Sequence, residues 1–145
     1  MRTDTIEALE EKFRLSPFLM GGTVSREEID QAAMVIGATF PEDYIDFLER
    51  FGGAIVGPYP IFGLRKVSAM GTTFSVVNVT NDFRQQNWRG TEDWVVFSED
   101  HAGNPIGIAP DGKVWISDHD IGQVTILAEC FEDYLRKKCL KLVDS

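Results

Sequence analysis

Basic residues are almost missing from one long stretch of this chain. Between residues 92 and 133 there are ten acids and one base, Lys113, and the 145-residue chain carries a net charge of −9. That balance opposes direct binding to nucleic acid, whose phosphates need cationic partners, and favours a basic protein instead. Histidine is limited to His101 and His119, and cysteine to Cys130 and Cys139. Zinc sites want three or four converging ligands, so no metal or other cofactor is expected. The thiols lie nine residues apart in one expected helix, about 13 Å along its axis and on opposite faces. They cannot bridge each other and read as reduced thiols of a cytoplasmic protein. Long apolar runs are missing too: nothing approaches a membrane span, and "MRTDTIEALEEK" lacks the apolar stretch of a secretion leader. Without repeats, low-complexity tracts or linkers, the chain reads as a single domain over residues 1–145.

What is present is enough for a core, with 43% hydrophobic and 11% aromatic residues. Four segments have helical period and caps. In "DTIEALEEKF", Ile6, Leu9 and Phe13 form one stripe. "SREEIDQAAMVIG" opens with Ser25 and Glu28 in capping-box spacing, repeats Ile29, Ala32, Ala33 and Ile36 on one face, and stops at Gly37. "FPEDYIDFLERFGG" places Pro41 at the first helical position, Glu42 and Asp43 at the positive end, and Tyr44, Phe47, Leu48 and Phe51 on the core stripe, with Gly52 and Gly53 as the stop. "CFEDYLRKKCLKL" is expected to bury Phe131, Tyr134, Leu135 and Leu142.

Between these helices the period changes to two. "TFSVVNVT" (73–80) reads as a strand and "FRQQNWRG" (83–90) as an irregular or short helical connection. Residues 57–66 read as loop. "WVVFSE", "PIGIA", "KVWIS" and "QVTILA" are β-prone runs separated by turns so short that they force an antiparallel meander. Helices first, sheet next and helix last imply an α+β fold: one mainly antiparallel sheet, a C-terminal meander of about four strands plus one or two more, covered by N-terminal helices and a C-terminal helix.

The meander has a geometric consequence. Its first and third strands run the same way, so the turns after Glu99 and Ser117 share one end of the sheet, about 10 Å apart. Asp100 and His101 therefore become neighbours of Asp118, His119 and Asp120. An enzyme would need a nucleophile or activated water beside such an Asp–His pair. Ser98 and Ser117 are close in sequence, but "FSED" lacks the glycines of a nucleophile elbow. "GGAIVG" follows a helix and lacks GK[ST], so it is a helix stop rather than a phosphate loop. Asp in "EDHAGN" and "SDHDIG" also serves as a turn former, bonding nearby backbone N–H groups. Trp88 and Trp94 are expected in or over the core, and Tyr59 is either exposed for a partner or packed under its loop.

The order and spacing of several motifs resemble the SUKH superfamily of bacterial immunity proteins and a yeast cell-wall regulator domain. The resemblance runs from about residue 24 to 138. It is carried by Pro41-Glu42-Asp43-Tyr44 with Phe47-Leu48 and Gly52-Gly53, the Gly103-Asn104-Pro105 turn, Asp118-His119-Asp120 and Phe131-Glu132-Asp133-Tyr134-Leu135. Cys130 stands where such domains usually carry Ser, and residues 65–93 match nothing in the pattern. The resemblance implies an α+β domain that binds a partner rather than catalyses, and, for bacterial members, an antidote to a toxin, many of which are nucleases. A nuclease presents a basic cleft, which an acidic protein can cover. Contact residues are expected at Asp100, His101, Asp118, His119 and Asp120, with Glu42, Asp43 and Asp46 as a second acidic patch. A regulatory or scaffold domain of the same fold stays open as an alternative, as does a small metal-dependent enzyme.

Overall fold

Helix α1 (Thr3–Leu15) buries Thr5, Leu9 and Phe13 in the computed structural model, which describes residues 1–142. The last three residues of the expected domain lie outside the described residues. Ile6 sits only at the margin of the stripe, and Thr5 takes the inward place because its hydroxyl accepts a hydrogen bond from the buried Arg136 at 2.8 Å. In α2 (Arg26–Ile36) the Ser25 hydroxyl accepts from the Glu28 amide at 3.2 Å, and Gly37 ends the helix in the left-handed region. Helix α3 (Glu42–Phe51) starts one residue later than expected, so Pro41 is its N-cap. Gly52 closes it with φ 70°, and a Cβ there would lie 2.1 Å from the Gly22 carbonyl oxygen. Only glycine meets both demands.

The region read as loop, residues 57–66, supplies the turn and second strand of a hairpin, β1 (Ala54–Val56) with β2 (Tyr59–Ile61). The expected strand at 73–80 is instead the start of α4 (Val76–Gln85). Ser75 caps it by accepting from the Asn78 amide at 3.2 Å, and Val76, Val79 and Thr80 are buried at helical spacing. Packing of that face overrides the β-propensity of its valines. Arg84, at the end of α4, donates to the carbonyls of Ile36, Thr91 and Trp94 and so ties α4 to the end of α2.

The meander forms in the expected order, β3 (Val95–Glu99), β4 (Pro105–Ile108), β5 (Val114–Asp118) and β6 (Gln123–Ala128), all antiparallel. The fold is α+β, and the meander is a four-stranded sheet separate from the β1–β2 hairpin. The outer edge of β3 is closed: Phe62 donates to the Phe97 carbonyl at 2.7 Å, and the Thr80 hydroxyl accepts from the Val96 amide at 3.0 Å. Gly107 on β4 lies under the Trp94 indole, where a Cβ would come within 2.8 Å of the ring.

The last helix, α5 (Phe131–Tyr134), passes into a π-turn over Leu135–Cys139, marked by the Leu140 amide bonding the Leu135 carbonyl at 2.8 Å. Because the helix ends there, Leu142 is half-buried rather than a core residue, while Cys139 is buried. Tyr44, Phe47, Phe97, Phe131 and Tyr134 make an aromatic centre of mostly edge-to-face pairs, and the Tyr44 hydroxyl donates to the Phe62 carbonyl at 2.7 Å. One hydrophobic cluster joins α1, α2, α3, α4, the sheet and α5.

Candidate functional site: an acidic rim joined by Asn104

The β3–β4 turn is built on one carboxylate. Asp100 accepts from the backbone amides of Ala102 at 3.0 Å and Asn104 at 2.8 Å, and from the Asn104 side-chain amide at 3.0 Å. Burial alone would raise the Asp100 pKa; the hydrogen bonds from Asn104 and Ala102 outweigh it and hold the group below the ordinary carboxylate value. Next to it, burial pushes Glu99 up, helped by the charge of Asp100.

Asn104 is 1% exposed and faces two ways. Its carbonyl oxygen accepts from the His119 backbone amide at 3.1 Å and from His119 Nδ1 at 2.6 Å. The two turns are thus fastened through one buried amide, whose carbonyl oxygen takes Nδ1 of the imidazole as a donor. His119 Nε2 lies 3.3 Å from an Asp120 oxygen, and the ring packs edge-on against Trp88 with centroids 5.0 Å apart. Asp118 accepts from the Asp120 amide at 2.9 Å, closing its own turn. Among the described residues no Lys or Arg forms an ion pair with Asp100, Asp118 or Asp120. Arg89 reaches this end of the sheet, and its guanidinium donates to the Gly122 carbonyl at 3.1 Å. A depression of about 240 Å³ between the two segments is lined by Trp88, Arg89, Ser117, Asp118 and His119.

The structure therefore brings Asp100, Asp118, His119 and Asp120 together. His101 is on the same turn, but its ring turns to the β1–β2 hairpin, with Nε2 3.1 Å from the Pro58 carbonyl and the ring 5.7 Å from Tyr59. Tyr59 is half-buried between His101 and Tyr134. Ser98 and Ser117 are buried, and the Ser98 hydroxyl donates to the Pro60 carbonyl. No group of three or more His, Cys, Asp or Glu among the described residues is arranged to hold a metal ion.

The three α3 carboxylates lie at the other end of the sheet, where β6 leads into α5. Asp43 accepts from the Glu132 amide at 2.9 Å, capping α5 from a different helix. Asp46 accepts from the Met1 amine at 2.9 Å and from Arg50 at 2.7 Å. Glu42 meets Arg26 at 3.3 Å while 81% of its side chain stays exposed. Sequence reasoning passed over Asn104 and Arg84. Asn104 had only a turn signature, and Arg84 fell in a segment read as connection.

Residues 23–137 match the SMI1/KNR4 family (SUKH-1), and the chain belongs to that family. It falls within the superfamily that holds bacterial immunity proteins, as the ordered motifs implied. No curated protein matches it. No helix among the described residues is long and apolar enough to cross a membrane.

Proposed function

We propose that this chain is a cytoplasmic immunity protein that binds a toxin with a basic active-site cleft, non-covalently and without metal, through the rim of the β3–β4 and β5–β6 turns. The observation that carries the reading is the rim itself. Two acidic turns are locked side by side by Asn104, and among the described residues neither Asp118 nor Asp120 forms an ion pair with a lysine or arginine. Carboxylates on short, hydrogen-bonded turns are pre-organised, so little side-chain entropy is lost on contact. Their summed field, on a protein of net charge −9, steers a cationic partner towards this end of the sheet. Asp100 contributes charge from within its turn, while Asp118, His119 and Asp120 are the contact side chains, with His101 at the margin. Binding rather than catalysis is the role that the family and the buried serines favour.

The test is association kinetics with the product of the adjacent open reading frame, the partner that an immunity role requires. The double variant Asp118→Ala, Asp120→Ala should slow association about threefold to tenfold at low salt and flatten the dependence of rate on ionic strength, with folding stability within about 0.5 kcal/mol of the parent. Equal association rates and equal salt slopes would remove the rim from the interface.

A further inference from the structure

The two edges of the meander are treated differently. The β3 edge is covered by Phe62 and Thr80, as described above. The β6 edge has no backbone partner among the described residues other than β5. Natural edge strands are usually guarded by a lysine, a proline, a bulge or a covering segment. "QVTILA" has no charge and no proline, and its one irregularity is the register shift opposite Val114 and Trp115, after which Gln123 to Ile126 pair regularly. Ile126 is 39% exposed beside its partner Trp115, and Ile121, just before the strand, is 61% exposed. An incoming strand would find apolar neighbours for its alternate side chains as well as unpaired backbone groups.

Charge identifies the occupant. The open edge begins after Asp118 and Asp120 and ends at Glu129, whose side chain is 73% exposed; one base stands near each end, Arg89 on the Gly122 carbonyl at 3.1 Å and Lys113 at 3.9 Å from Glu129, against these three acids. A second copy of this chain pairing through β6 would bring acid against acid in either strand direction, between molecules that each carry −9. We infer that the outer edge of β6 accepts an extended segment of a protein partner that carries basic residues at both ends of the segment, adding a fifth strand to the sheet. The inference goes beyond the acidic-rim reading: the strand edge is a further surface that shares only Asp118 and Asp120 with the rim, and it holds for any partner with such a segment.

The probe is a short peptide of alternating valine and threonine with lysines at each end, compared with the same core ended by glutamates. With the lysine-ended peptide, amide hydrogen exchange should slow about tenfold or more at alternate residues between Gln123 and Leu127, and the glutamate-ended peptide should give no such protection. Val124→Pro and Thr125→Pro complete the test, because neighbouring N–H groups on a strand point to opposite edges. One substitution breaks the native ladder; the other should keep the melting temperature and abolish peptide protection. Three results would overturn the inference: no protection in β6 with the lysine-ended peptide, shifts confined to Asp118–Asp120, or unchanged binding in the variant that keeps its fold. Protection of β6 that appears without peptide and grows with protein concentration would overturn the choice of occupant, making it a second copy. All of these are read without the toxin, so they stand apart from the outcome of the association experiment.

Discussion

Asn104 is a single amide that satisfies Asp100 on one side and His119 on the other. Replacing it by Ala leaves an imidazole N–H, a backbone N–H and a carboxylate short of partners. The expected loss is about 1–3 kcal/mol, read as a lower urea midpoint with unchanged slope, whereas Asp118→Ala should change stability by less than about 0.5 kcal/mol. Two adjacent carboxyls give the acid limb opposite signs. Asp100 is held below its ordinary value of 3.8 by its hydrogen bonds, so the stability it contributes is present above that value and is lost as the pH falls through the lowered one. Glu99 is raised above 4.5 by burial and by Asp100, so between 4.5 and the raised value the folded chain holds a proton that the unfolded chain has released. Stability therefore falls as pH rises through that window. Glu99→Gln should raise the urea midpoint at neutral pH, and the gain should vanish below about pH 4.5. At this scale the sequence showed where the carboxylates would gather, because turn position follows from strand order. It did not show Asn104 as their link, because that depends on a contact across fifteen residues.

Elements differ in how completely their own residues specify them. Helix α2 carries its cap, stripe and stop within one segment and was legible to the residue. Helix α4 was misread because Val76, Val77, Val79 and Thr80 are β-branched; the Ser75 cap and the i, i+3, i+4 spacing were present, and burial of that face decided between them. Helix α5 is specified partly from outside. Its N-cap, Cys130, accepts from the Asp133 amide through sulfur at 3.4 Å, a poor acceptor at long range, and Asp43 on α3 supplies a second cap to the Glu132 amide. Cys130→Ser should therefore stabilise the fold by about 0.5–1 kcal/mol by giving α5 an oxygen cap, and Cys130→Ala should do the reverse. Thermal unfolding of the three proteins checks this. A Ser variant no more stable than Ala would mean that Asp43 alone suffices.

Across the whole molecule, charge and family segment divide unevenly. The acids of the meander fall at both of its ends, Glu99, Asp100, Asp118 and Asp120 at the rim and Asp111 and Glu129 opposite, a division that follows from strand order and not from composition. The opening helix makes a different kind of contribution. The family match begins at residue 23, so α1 lies outside it, yet α1 inserts Leu9 at 0% and Phe13 at 5% exposure into the common core. Phe13 meets Phe51 edge-on at 5.0 Å, and Arg136, 3% exposed, reaches back from the π-turn to Thr5 at 2.8 Å and to Asp4 at 3.0 Å. Burying two large apolar side chains contributes about 3–6 kcal/mol, a large part of the roughly 5–15 kcal/mol by which such domains are stable. Removing α1 would also leave the Arg136 guanidinium without these two partners, which adds to the loss. A chain beginning at residue 23 should therefore lose cooperative thermal unfolding and bind a hydrophobic dye, while Phe13→Ala in the full chain should cost about 3–5 kcal/mol and remain folded only at low temperature. A truncated chain with dispersed amide resonances and an unchanged melting temperature would show instead that the family segment folds alone and that α1 merely rests on it.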